Sequence, residues 1–109
     1  MHKPNLDAVA RELSGRAAGA NSGRAAETLY GGHEKALRQT LLAMQEGTEL
    51  TEHENPGDAT ILVISGRVEL KAGDVSWEGR QGDLLAIPDA RHSLSALTDT
   101  TFLLSVAKR

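Results

Sequence analysis

Turn-forming residues cut the chain after Gly31-Gly32 into short apolar segments, and this punctuation constrains the fold more than any other feature. The breaks fall at Glu46-Gly47, Asn55-Pro56-Gly57-Asp58, Ser65-Gly66, Ala72-Gly73-Asp74, Gln81-Gly82-Asp83, Pro88-Asp89 and Thr98-Asp99. Gly takes up backbone conformations that other residues avoid, Pro lacks a ladder donor, and Asn and Asp bond their own backbone, so each cluster stops a strand. The segments between them predict strands at 36–44, 48–54, 59–65, 67–72, 75–79, 83–87, 92–97 and 101–107. Short strands at this spacing, each ended by a turn, imply an all-β sandwich or barrel and not an α/β sheet. No repeat of solenoid length is present.

The stretch before residue 30 reads differently. It is rich in Ala, Arg and Gly and shows no strand-like run. Leu6, Val9, Ala10 and Leu13 follow helical spacing, with Asn5 placed to cap the start and Gly15 or Gly19 to end it. The reading is a short amphipathic helix at about 5–18 and then a loose linker through Asn21-Ser22-Gly23. Residues 1–30 thus form a helix and linker, and 31–109 the β domain.

Two predicted strands are apolar on both faces. Ala59, Ile61 and Val63 oppose Leu62 and Ile64, and Phe102, Leu104 and Val106 oppose Leu103 and Ala107. Such a strand is covered on both sides. The second layer comes either from the N-terminal helix or from a partner copy, and a homodimer is the expected assembly.

Composition narrows the function classes. At 109 residues the chain has room for one domain, and its formal net charge of −3 argues against nucleic acid as a partner. With no cysteine, thiol nucleophiles, disulfides and zinc–thiolate sites are excluded. The longest aliphatic runs, Ile61-Leu62-Val63-Ile64 and Leu84-Leu85-Ala86-Ile87, are too short to span a bilayer, and the N-terminus has no apolar signal core. A soluble cytoplasmic protein is the default expectation.

Two segments carry a recognisable pattern. Gly47 to Gly66 contains His53, Asn55 and Ala59 at fixed intervals, and Gly82 to Leu94 contains Pro88 and His92. The first resembles the first cupin motif: Gly, five residues, His-x-His, three or four residues, Glu, six residues, Gly. The second resembles the second cupin motif, in which Gly is followed by Pro and then His. The resemblance covers residues 31–109 and implies a single cupin-type β-barrel, a double-stranded β-helix or jelly roll of the RmlC-like superfamily, with a short N-terminal helix.

In metal-binding cupins the first motif supplies two His and a Glu, and the second motif a third His. By that resemblance His53 and His92 are the candidate metal ligands, for Fe, Mn, Ni or Zn. Asn55 stands in place of the second His and Ala59 in place of the Glu, with Thr60 beside it. Two imidazoles and a neutral amide suit a divalent metal poorly. Glu54 points outward by strand parity unless the strand is bulged. The interval from Pro88 to His92 is one residue shorter than the commonest form.

His53, Asn55 and His92 are therefore expected to line a pocket, joined by Arg38 or Gln39 from the first strand of the barrel. These two neighbours alternate, so one faces inward; Arg38 inward would suit an anionic ligand. His33 could reach the barrel mouth as a third imidazole, although a solvated loop His is the simpler reading. Tyr30 is expected to anchor the linker, and Trp77 to be a packing residue and not a ligand platform.

Three functions follow from the residues. The first is a small-molecule binding, sensing or accessory module with a pocket lined by His53, Asn55 and His92 and no required cofactor. The second is a metal-dependent enzyme of dioxygenase or isomerase type, its depleted site completed by water, Glu54 or His33. The third is a metal-free acid/base enzyme, which would want a carboxylate to orient its His. The fold does not choose among them.

Overall fold

The computed structural model describes residues 2–53 and 57–108. The chain begins with helix α1 (Leu6–Gly19) and continues through β1 (Arg24–Tyr30), β2 (Leu37–Met44), β3 (Glu49–His53), β4 (Gly57–Ser65), β5 (Arg67–Ala72), β6 (Val75–Arg80), β7 (Leu84–Ala86), β8 (His92–Ala96) and β9 (Thr100–Lys108). The eight predicted strands are present as β2 to β9.

Two sheets face each other. One has the order β1-β2-β9-β4-β7 and the other β3-β8-β5-β6. From β2 onward the chain passes repeatedly between them, and consecutive strands β5 and β6 share one sheet. Among the described residues no strand pairs across the two sheets, so the barrel is an open jelly-roll sandwich. The crossing from β4 to β5 is made at Gly66, whose φ of 84° lies in the left-handed region. A Cβ there would stand 2.2 Å from the carbonyl oxygen of Asp99, so the crossing requires the absence of a side chain.

Strand alternation divides the apolar residues into two cores. Met44, Ile61, Val63 and Phe102 from the first sheet meet Val68, Leu70, Leu94 and Ala96 from the second. The opposite face of the first sheet presents Leu29, Leu41 and Ala43 to Ala10, Leu13 and Ala17 of α1, with Ile64 and Leu103 packed alongside. The helix thus provides the second layer over β1 and β2. It does not reach β7, where Leu84 is 65% exposed. The Asn5 side chain accepts a hydrogen bond from the Ala8 N–H at 3.0 Å, capping the helix as its position predicts.

One segment departs from the sequence reading. Residues 24–30, expected within the linker, form edge strand β1, antiparallel to β2 from Arg24↔Met44 to Thr28↔Thr40. Arg24-Ala25-Ala26-Glu27 has little intrinsic strand preference. The strand exists because the free edge of β2 supplies its ladder and α1 covers Leu29. No helix among the described residues is long and apolar enough to cross a membrane.

Candidate ligand site at the open end of the sandwich

Chain connectivity places the candidate residues at one end. The end of β3 at His53, the start of β4 at Gly57 and the β7–β8 connection lie there, away from the Gly66 crossing. On the inner face of the first sheet, Arg38 partners Val106, and Val106 partners Ala59. The inner assignment of Arg38 follows from β2 parity, because the register with β9 is unbroken from Leu37 to Met44 and Leu42 and Met44 both pack in the inter-sheet core. Ile87 N–H donates to the Ala59 carbonyl at 2.9 Å, carrying this row to the loop after β7.

The second sheet contributes His92. It shares the inward face of β8 with Leu94 and Ala96 and is 2% exposed. Its Nδ1 lies 2.9 Å from the carbonyl oxygen of Ala90. A carbonyl only accepts, so Nδ1 carries the hydrogen. In the neutral ring the lone pair then sits on Nε2, the atom able to accept from a ligand or to coordinate a metal.

His53 is the Cα partner of His92 across the β3–β8 pair. The register shifts between Leu50 and His53, a bulge that alternation alone does not predict. Asn55 and Glu54 lie outside the described residues. Ala59 is buried on the inner face, and Thr60 alternates to the other side.

The remaining candidates are separated from this group. Gln39 faces the helix side, where its Nε2 donates to Ser105 Oγ at 3.1 Å beside Leu29, Tyr30 and Leu103. Tyr30 ends β1 opposite Gln39 and is half-exposed. His33 is exposed in the loop before β2, its carbonyl accepting from Lys108 Nζ at 3.2 Å.

An apolar cleft opens beside His92. Leu70, Ala72, Val75, Trp77, Pro88 and Ala90 enclose about 260 Å³. Trp77 partners Leu70 across β5–β6, and Val75 partners Ala72, so both point to the inter-sheet side of the sheet's edge strand. Among the described residues no strand lies beyond β6 in that sheet, and Trp77 remains 48% exposed. The sequence alone makes Trp77 a packing residue. The signal for the cleft was the alternation of Val75 and Trp77 with Ser76 and Glu78, facing the small residues Ala72 and Ala90.

The donor set for a metal is thin. Among the described residues no three His, Cys, Asp or Glu come together to hold an ion. Ala59 has no side-chain donor atom where the resemblance calls for a carboxylate, and its carbonyl oxygen already accepts from Ile87 N–H, so these residues do not fit the family's metal site.

Comparison with known proteins agrees with the architecture. The sequence model of the cupin domain matches residues 40–106. No curated protein matches the chain. Among solved structures, a conserved protein of unknown function from Streptococcus pyogenes superposes with a TM-score of 0.74 at 25% identity, covering 83% of this chain and 78% of its own. A cupin superfamily protein from Desulfitobacterium hafniense gives a TM-score of 0.72 at 17% identity, over 79% of this chain and 78% of that one. An RmlC-like cupin protein from Desulfovibrio desulfuricans gives 0.67 at 24% identity, over 77% and 81%.

Proposed function

The chain belongs to the cupin domain family, and on that premise we propose that it is a small-molecule-binding cupin, of sensing or accessory type. The ligand enters the open end of the sandwich, and its apolar part rests against Trp77. One observation carries this reading: a half-exposed tryptophan lines an apolar cleft whose wall, at Ala90, is bonded to a buried histidine. Concave apolar sites with a few polar groups at the margin are the usual form of small-ligand pockets. His92, with His53 as its strand neighbour and Asn55 two residues further on, supplies the polar margin.

Trp77 is the single tryptophan, so its emission reports on the cleft alone. An uncharged aromatic probe, 3-phenylpropionamide, is expected to change that emission saturably and to shield Trp77 from acrylamide quenching. Linear, unsaturable change together with unaltered quenching would sink the reading.

The shared register of His53 and His92 favours a second reading, a metal-dependent enzyme of dioxygenase or isomerase type with an incomplete ligand set. Metal analysis of the purified protein and of a His53→Ala/His92→Ala double variant separates the two. Stoichiometric Fe, Mn, Ni or Zn that is lost in the variant supports the enzyme. No metal after supplementation, with no thermal shift from any of these ions, rules it out.

A further inference from the structure

We propose that the ligand of this pocket is a small organic anion and that Arg38 holds its acidic group, an inference that rests on the cleft reading above. Arg38 is half-buried and directed by strand parity toward the inter-sheet space. Its neighbours in the row, Val106 and Ala59, offer no polar side-chain atom. Among the described residues no carboxylate lies within ion-pair distance of it, whereas Arg16 and Arg67, on outer surfaces, both pair with Glu.

A guanidinium drawn toward a protein interior gives up hydration, and an acceptor, best a carboxylate or phosphate, restores it. The alanine at position 59 strengthens the point. A carboxylate there would stand two strands from Arg38 on the same face and offset its charge. With alanine, the inward charge of this row is positive. The row from Arg38 through Val106 and Ala59 continues to Ile87, next to the cleft residue Pro88, so three strand spacings, about 14 Å, separate Arg38 from that side of the cleft. A flexible arginine and a ring with a short acidic arm together cover that span, with the ring toward Pro88 and Trp77 and the acid toward β2. The competing arrangement has the Arg38 stem lying on apolar surface while its head stays in bulk water.

The test compares 3-phenylpropionate with its amide on the full chain, by calorimetry and Trp77 emission. The acid is expected to bind about tenfold more tightly, the effect of one charge-assisted hydrogen-bonded contact. Arg38→Gln should abolish the preference by weakening the acid, and Arg38→Lys should keep part of it. Thermal melts of both variants confirm that they fold. Equal affinity for acid and amide in the unaltered protein, or a preference that survives in Arg38→Gln, overturns the proposal while leaving the cleft reading intact. Binding of neither probe removes the cleft reading and this inference with it.

Discussion

His53 and His92 stand opposite each other across the β3–β8 pair, although Leu50 and Leu94 in the same ladder would assign His92 to Glu52. One extra residue in β3 makes the difference. Bulges of this kind re-aim a strand near functional sites, and here the bulge brings the outer two histidines of the cupin pattern into one register.

The register can be locked chemically. Directly opposed residues in an antiparallel pair have Cα atoms about 4.5–5.5 Å apart, within the range a disulfide spans. The chain has no cysteine, so His53→Cys/His92→Cys is expected to form a single intramolecular disulfide on mild oxidation. Glu52→Cys/His92→Cys should oxidise more slowly. Thiol titration and non-reducing electrophoresis read the outcome, and the reverse order would place the bulge elsewhere.

His92 also supports the fold. His92→Ala removes the bond to the Ala90 carbonyl and leaves a void at a position that is 2% exposed. The expected loss is about 2–4 kcal/mol in urea denaturation, combining the cavity and hydrogen-bond terms. His92→Phe keeps most of the volume, and Ala90 is exposed enough for water to replace the ring at its carbonyl. About 1 kcal/mol is expected there. Equal losses from both variants would show that the hydrogen bond, and not the packing, dominates.

The architecture was legible because turn residues and apolar alternation are local signals. Ser65-Gly66 and Gln81-Gly82-Asp83 end strands where they were expected to, and Asn5 caps α1. What was not legible depends on partners distant in sequence. Strand β1 is made by the free edge of β2, and nothing in Arg24-Ala25-Ala26-Glu27 announces it. The face taken by Arg38 is set by the β2–β9 register and by which side of β2 the helix covers. Trp77 looked like packing because β6 gives no sign in its own residues of being the last strand of its sheet.

Two glycines separate backbone strain from collision. Gly66 and Gly73 have φ of 84° and 59°, so either alanine substitution meets the left-handed penalty of about 1–2 kcal/mol. At Gly73 nothing lies within 4 Å of the added Cβ, and the cost should end there. At Gly66 the Cβ meets the Asp99 carbonyl and Thr100, so the crossing between sheets must shift. Gly66→Ala is expected to lower Tm well beyond Gly73→Ala, or to prevent folding; equal melting temperatures would contradict the close approach.

The helix is the last element whose role can be measured. Leu13 is fully buried against Leu41 and Ala43, on the sheet face turned away from the ligand site. If α1 is part of the cooperative unit, Leu13→Ala should cost about 2–5 kcal/mol, as a buried leucine does elsewhere. The urea midpoint should fall while the slope and single transition are kept. Leu84→Ala, at a 65% exposed position on the same sheet, should change the midpoint little. A helix that docks only loosely would reverse this expectation: Leu13→Ala would leave the midpoint unchanged, and an early partial transition would appear in the helical signal. Because α1 covers the outer face and the cleft lies between the sheets, Leu13→Ala should in either case leave the Trp77 emission of the folded protein as it was.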